Sequence, residues 1–342
     1  MLKFIEKVEK RNKLKVGFIG GSITLGAVAG SNEYRFSDQL CNMLEKSFNK
    51  SDFKQINAGV AAAGCRFAAS RVKSDLLNES PDLIILDLSV NLNTLDTLNE
   101  MQAFEGLIRQ CLQNEDVPVI ILHFTTENES TINQQIISRI ANHYSLPIIS
   151  YQNAVMSLIN DGKLNWKSIA YDDIHPNYIG HFLAAYMLNN FIYTIYQNRN
   201  HINPPKIKIP NPYSTDLYQY SDIFPNDQEK VLRLTYNRNW ILTKDKNLKY
   251  HFETVLKGDS IVFTSTAREL TIMFNQYQNY SGEIGVWLDG KLINQLKANS
   301  PVNFQIMKNY QVFSDEIKKT RTICLTNLKN ERFSIPYILY AK

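Results

Sequence analysis

Two short stretches of this chain hold side chains suited to nucleophilic chemistry. The first is Gly20-Gly21-Ser22-Ile23-Thr24, directly after the apolar run Lys15–Gly20. The run reads as a strand. Two glycines let the chain turn sharply at its end, and a following helix would present backbone N–H groups beside the serine hydroxyl. The second stretch is Asp172-Asp173-Ile174-His175-Pro176. A serine hydroxyl attacks poorly until a base takes its proton; histidine does this at neutral pH, and a carboxylate fixes its tautomer. Asp172 stands three residues before His175, so both can project from one loop. Each stretch alone also has a plainer reading. The first fits a phosphate-binding turn or a helix cap, although the chain has no P-loop pattern. The second fits a loop histidine beside a capping carboxylate.

Two further residues bear on the same chemistry. Gly59, in Asn57-Ala58-Gly59-Val60-Ala61, and Asn91, in Leu88-Ser89-Val90-Asn91, each follow an apolar run that reads as a strand. The backbone N–H of Gly59 and the side-chain amide of Asn91 can stabilise a developing oxyanion. Taken singly, a glycine after a strand is a turn residue and an asparagine there is a cap.

The elements that must position these residues are legible from periodicity. Strands are expected at Lys15–Gly20, Lys54–Asn57, Leu83–Leu88, Val117–His123 and Leu146–Ile149, and helices near 34–48, 65–78, 97–113, 130–143, 151–160 and 176–196. Pro176 suits the first turn of the last helix. Strands apolar on both faces and separated by helices imply an α/β fold with a doubly wound, flavodoxin-like parallel sheet covered on both sides. Ligands in such sheets sit at the carboxyl ends of the strands, the edge to which Ser22, Gly59 and Asn91 all point.

The texture changes near residue 200. Asn198–Tyr213 holds Asn-Pro-Pro, Ile-Pro and Asn-Pro steps and reads as a linker,. Short alternating segments follow at 231–236, 248–254, 260–264, 268–275, 283–288, 291–295, 319–326 and 333–340, with a hairpin signal at Asp289-Gly290,. These predict a C-terminal all-β domain, a sandwich or jelly roll, over 201–342, after an α/β domain over 1–200.

The order and spacing of the four motifs resemble the SGNH (GDSL-like) hydrolase family, over about residues 14–190. The likeness continues between motifs, through NAGVAAAG, a helix containing Ala69–Arg71, and PDLIILDLSVN, in the layout of carbohydrate O-acetylesterase-like members. It implies a three-layer α/β/α fold. It also implies Ser22 as nucleophile, His175 as general base, Asp172 as its orienting partner, and an oxyanion hole from the Ser22 and Gly59 amides and the Asn91 side chain. The reaction expected is hydrolysis of a short-chain ester, an O-acetyl group on a carbohydrate. An O-acetyltransferase and a lysophospholipase or thioesterase stand as rivals on the same scaffold, and a non-catalytic glycan-binding protein as a rival of another class. Three positions depart from the family pattern: Gly21 replaces aspartate, Ser89 replaces a glycine and Leu92 replaces an aspartate. The last two bear on the oxyanion pocket.

Among other candidates, Asp173 is expected to face solvent or cap the next helix, His123 to border the pocket or serve the scaffold, and His181 to be structural. Trp166, Tyr171 and Tyr178 flank the Asp172–His175 loop, where they either stack on a sugar or simply pack; Trp240 and Trp287 pose the same choice in the second domain. Gly258-Asp259-Ser260-Ile261 spells the GDSI motif literally, but a strand pattern follows it and no D-x-x-H does, so it reads as a turn.

Bulk properties narrow the function further. The chain has 342 residues, more than one ordinary core needs, with 44% apolar and 20% charged residues, as in a soluble globular protein,. Residues 1–200 carry 18 basic and 20 acidic side chains and residues 201–342 carry 19 and 13. That asymmetry fits two domains and is too small to argue for nucleic acid. Cys41, Cys65, Cys111 and Cys324 form no C-x-x-C pair and read as buried thiols,. No His, Cys or carboxylate cluster has metal-ligand spacing, so neither metal nor cofactor is expected. No run is long enough to insert in a membrane, and the charged N-terminus lacks a signal-type apolar core, which predicts a cytoplasmic protein. The partner expected is a small ester or acetylated saccharide, and homo-oligomerisation is left open.

Overall fold

The computed structural model describes every residue except 11–12, 50, 93–96, 129–131, 203–208, 226–230, 245–249 and 304. The chain divides into two compact units, Met1–Gln219 and Tyr220–Lys342.

The first unit is built on five parallel strands: β1 (Lys13–Gly20), β2 (Asp52–Gly59), β3 (Leu83–Asp87), β4 (Val119–His123) and β5 (Ile148–Ser150), in the order β2-β1-β3-β4-β5. This is the doubly wound order of flavodoxin-like sheets. The helices are α1 (Leu2–Lys10), α2 (Ser22–Leu25), α3 (Phe36–Ser47), α4 (Cys65–Asp75), α5 (Thr97–Cys111), α6 (Ile132–His143), α7 (Tyr151–Asn160), α8 (Trp166–Ile169) and α9 (Tyr178–Asn198). Phe18, Ile85 and Leu122 pack in one core with Phe4 of α1, Phe36 and Leu40 of α3, Val155 of α7 and Leu188 of α9. The alternate residues Ile84, Leu86 and Ile121 are also fully buried, as a sheet covered on both faces requires,.

Sheet register brings three of the four motifs level. Gly20 pairs with Gly59 on one side and with Asp87 on the other, so β1, β2 and β3 end together at one rim. The chain then leaves that rim through Gly21-Ser22, through Val60–Gly64 and through Leu88–Asn91.

Three local features depart from the sequence expectation. α1 is a helix despite its scattered charges, because Phe4, Ile5 and Val8 fall on one buried face while the charged residues lie around it,. α9 begins at Tyr178, two residues later than expected. Asn177 caps it by accepting from the N–H groups of Ile179 and Gly180, while Pro176 bridges to Ala170,. The junction between units falls at 219/220 instead of 200. Residues 209–219 pack on the first unit: Arg109 donates to Pro210 O at 2.8 Å, the Ser214 N–H donates to Glu105 Oε2 at 2.8 Å, and Gln110 donates to Tyr218 O at 3.0 Å. Within the expected linker 203–208, within the expected helix 130–131, and within the expected strand 248–249, the chain lies outside the described residues.

The second unit is all-β and antiparallel. Its strands are β6 (Ser221–Ile223), β7 (Leu232–Arg238), β8 (Ile241–Lys244), β9 (Tyr250–Thr254), β10 (Ser260–Ser265), β11 (Glu269–Gln276), β12 (Glu283–Leu288), β13 (Lys291–Lys297), β14 (Ile306–Ser314), β15 (Arg321–Asn327), β16 (Phe333–Ile335) and β17 (Tyr337–Ala341). They form sheets ordered β13-β12-β15-β10-β7, β14-β11-β17-β6 and β16-β9-β8. Ile261, Val286 and Leu325 of the first sheet share a core with Ile272, Phe274 and Ile338 of the second,. Asp289 and Gly290 both have positive φ and close the expected β12–β13 hairpin,. Strands β6, β8 and β14 were not expected. β14 is an edge strand whose Lys308-Asn309 step breaks the alternation that marks a half-buried strand,. All four cysteines are free thiols, three of them buried.

Candidate active site

The two chemistry-bearing stretches meet. Ser22 Oγ donates to His175 Nε2 at 3.0 Å, and His175 Nδ1 donates to Asp172 Oδ2 at 2.9 Å and Oδ1 at 3.1 Å. The carboxylate is held in turn by its own loop, since Oδ1 also accepts the N–H groups of Ile174 at 2.8 Å and His175 at 2.6 Å. Desolvation alone would raise the Asp172 pKa. The bonds from His175 and Ile174 outweigh it and hold the group below the usual carboxylate range,. Asp172 is therefore an anion at neutral pH, and its charge fixes the histidine proton on Nδ1, leaving Nε2 as the acceptor toward Ser22.

The Asp172–His175 loop is closed at its base. Ala170 and Pro176 form an antiparallel bridge, and the Tyr171 N–H donates to His175 O at 2.8 Å. Trp166, from α8, donates its indole N–H to Asp172 O at 3.0 Å. Asp173 has an exposed side chain, and its carbonyl accepts the Glu127 N–H at 2.8 Å. The helix cap is supplied by Asn177 instead.

Ser22 is the first residue of α2, and that short helix is gripped by half-buried and buried polar groups. Asn57 Nδ2 donates to Thr24 O at 2.7 Å and to Ser37 Oγ at 3.1 Å. Thr24 Oγ1 donates to Asp87 Oδ2 at 2.8 Å. Burial drives the Asp87 carboxyl up to about 7, against the opposing pull of the Thr24 hydroxyl,. Gly59 lies so close to α2 that a Cβ on it would fall 2.2 Å from Leu25 N. Asn57 escaped the sequence reading; its only signal was its place two residues before Gly59.

The three expected oxyanion donors fare differently. Asn91 ends the 3-10 turn Ser89–Asn91, and its amide lies against Gly21: a Cβ built on Gly21 would fall 1.9 Å from Asn91 Oδ1. Among the described residues, neither the Asn91 side chain nor the Ser22 N–H has a hydrogen-bond partner. The Gly59 N–H, by contrast, donates to Asn57 Oδ1 at 2.9 Å. The reason is local: the Asn57 side chain folds back over the end of its own strand, so this amide is engaged with Asn57. The departures at 89 and 92 are structural here. Ser89 is fully buried and donates to Phe124 O at 3.0 Å, and Leu92 is buried.

The remaining candidates sort by burial. His123, at the end of β4, is fully buried and 3.0 Å from Gln152 Oε1 through Nε2. Burial lowers its pKa to about 4 against the Gln152 bond. His181 is also fully buried; its Nδ1 accepts the Phe36 N–H at 3.3 Å. Burial first, then the charges of His175 and Arg35, lowers its pKa to about 4. Both are neutral scaffold groups. Trp166, at 7% exposure, packs in the core beneath the loop and is no platform for a sugar, whereas Tyr171 (71%) and Tyr178 (58%) are exposed beside His175. The Tyr178 ring lies 6.2 Å from that of Tyr34. Trp240 is buried in the core of the second unit and Trp287 is half-buried. Gly258 takes a positive φ and leads through Asp259 into β10, so the GDSI tetrapeptide is a turn entering a strand. Asp259 there accepts from Asn239, Thr254 and the Leu256 N–H. Among the described residues no group of three His, Cys, Asp or Glu side chains is placed to hold a metal ion, and no helix is long and apolar enough to cross a membrane.

Fold and site together define a doubly wound α/β unit carrying a serine–histidine–aspartate relay at the carboxyl edge of its sheet, followed in the chain by an antiparallel β unit. No family model and no curated protein matches the sequence. Solved structures do match. A two-domain esterase active on acetylated mannans superposes with a TM-score of 0.90 at 22% identity, over 100% of this chain and 94% of that one. The same kind of enzyme co-crystallised with mannopentaose gives 0.88 at 22% identity over the same shares. At this identity the likeness shows that the two-part fold is shared.

Proposed function

We propose that this protein is a serine esterase of the SGNH type that removes O-acetyl groups from a carbohydrate. The observation that carries the reading is the unbroken relay Ser22 Oγ–His175 Nε2 and His175 Nδ1–Asp172, with bonds of 3.0 and 2.9 Å. In such a reaction the Ser22 oxygen attacks the ester carbonyl as its proton passes to His175 Nε2, and the imidazolium formed is stabilised by the Asp172 carboxylate. The Ser22 N–H and Asn91 Nδ2 receive the oxyanion of the tetrahedral intermediate. Gly59 can join them only by releasing Asn57. Collapse breaks the bond to the sugar oxygen, which takes the proton from His175 and departs as an alcohol. Water, deprotonated by the same nitrogen, then attacks acetyl-Ser22 and releases acetate, restoring the serine hydroxyl.

Two observations support a saccharide substrate. Tyr171, Tyr178 and Tyr34 leave aromatic faces exposed around His175, suited to stacking on a pyranose ring,. The similar two-domain structures are those of an esterase active on acetylated mannans. The test is acetate release from acetylated manno-oligosaccharides by the wild type and by Ser22→Ala. Acetate release lost in Ser22→Ala supports the reading. Equal release from both, or a preference for long acyl chains, refutes it. Accumulation of acetylated acceptor sugar in place of free acetate would make the enzyme a transferase.

A further inference from the structure

The reaction above leaves one buried charge beside the site without a task. Arg71, on α4, has no exposed side-chain surface. A guanidinium withdrawn from water is costly unless its donors are met. Here Nη2 donates to Gly20 O at 3.0 Å, and Nη1 donates to Ala58 O at 2.6 Å and to Asp75 Oδ2 at 3.2 Å. Its plane also lies over the Phe67 ring, 5.3 Å from the centroid.

The two carbonyls are not arbitrary ones. Gly20 O belongs to the peptide bond that leads into Gly21-Ser22, and Ala58 O to the one that leads into Gly59. A peptide unit is planar and trans, so fixing its C=O also fixes the direction of its N–H. The Gly59 N–H consequently points away from Arg71, where Asn57 Oδ1 accepts it; the other end of that same Asn57 amide holds Thr24 O of the Ser22 helix. Gly20 O also accepts the Val60 N–H at 3.1 Å. One rigid fork thus joins the ends of β1 and β2, and through Asn57 and Val60 it reaches both sides of the turn that carries the serine.

We propose that Arg71 is a positioning residue for Ser22: by bridging Gly20 O and Ala58 O it sets the two peptide planes that aim the serine hydroxyl at His175. This rests on the esterase reading, but its geometry can be tested apart from activity. Arg71→Lys keeps the charge and loses the planar fork, since an ammonium on a flexible stem does not reproduce the paired donors. Arg71→Gln keeps one short amide and serves if the lysine variant fails to fold. Asp75→Asn removes the ion pair and leaves both carbonyl bonds.

The experiment measures three quantities on the full chain: the second-order rate of Ser22 modification by a small fluorophosphonate, kcat and KM on an aryl acetate, and amide hydrogen exchange at Gly21, Ser22 and Gly59. For Arg71→Lys or Arg71→Gln the expected result is a fall of about 10²-fold in labelling rate and kcat, the scale of a misplacement near 1 Å. KM should stay nearly constant and exchange at the three amides should accelerate. Asp75→Asn should lower the melting temperature without changing the labelling rate. Wild-type labelling and exchange in a folded Arg71 variant overturn the proposal. So does an equal loss of labelling in Asp75→Asn, which would make Arg71 a general brace for α4. If the wild type is not labelled at Ser22, the esterase reading fails, and the exchange data still decide whether Arg71 holds the turn.

Discussion

His175 Nε2 lies 3.0 Å from Ser22 Oγ although 153 positions separate the two residues. The distance follows from two rigid attachments: Ser22 opens α2 at the end of β1, and His175 hangs from a loop closed by the Ala170–Pro176 bridge and held by Trp166. A hydroxyl and an imidazole held at hydrogen-bonding distance are ready for proton transfer without rearrangement.

Removing either end of the relay should abolish turnover. Ser22→Ala and His175→Ala are each expected to lower kcat by roughly 10⁴-fold or more, and the double variant should be little worse than either single one, because the groups act as a unit. Initial rates of acetate release check this. Multiplicative losses in the double variant would mean that the two residues act independently.

The amide of Asn91 is predicted to matter through kcat. Asn91→Ala should cost roughly 10²–10³-fold in kcat with KM little altered, as expected of a donor that meets charge only in the transition state. Gly21→Ala should imitate it, since the added methyl falls where Asn91 Oδ1 now lies. Steady-state kinetics of the two variants should agree in pattern; a Gly21→Ala enzyme with full kcat would show that the amide position is not critical.

The aromatic rim should act on sugar substrates alone. Tyr178→Ala is expected to raise KM for an acetylated oligosaccharide several-fold, at about 0.5–1.5 kcal/mol for a lost ring contact, and to leave an aryl acetate unaffected. Equal effects on both substrates would place Tyr178 in the scaffold and not in recognition.

Stability should depend on pH through three buried groups of opposite sign. The folded pKa of Asp87, about 7, lies above its unfolded value near 3.9,. Its contribution is complete below about pH 4 and is lost as pH rises to 7. For His123 and His181 the folded values, about 4, lie below the unfolded value near 6.5,. Their contributions are complete above about pH 6.5 and are lost as pH falls to 4. Asp87→Asn should therefore steepen the rise of stability between pH 4 and 6.5 by up to about 1.4 kcal/mol per pH unit, and His123→Asn should flatten it. Urea midpoints across that range decide the matter. A curve for Asp87→Asn parallel to the wild type would show that the carboxyl titrates normally.

What the sequence by itself determined is what depends on neighbours in the chain. The parallel strands were legible because runs such as Leu83–Leu86 are apolar at every position, and the β12–β13 hairpin because Asp289-Gly290 accepts positive φ. The Asp172-to-His175 spacing already placed a carboxylate within reach of an imidazole. The tertiary structure decided everything that hangs on which groups face each other across the fold. It turned Trp166 under the loop as a support instead of outward as a platform, carried the first unit on to Gln219, and gave Arg71 two carbonyls to hold. No local pattern encodes these outcomes. Hydrogen-bond partners distant in sequence are chosen by sheet register and by the demand that every buried donor be met, and both are properties of the packed chain.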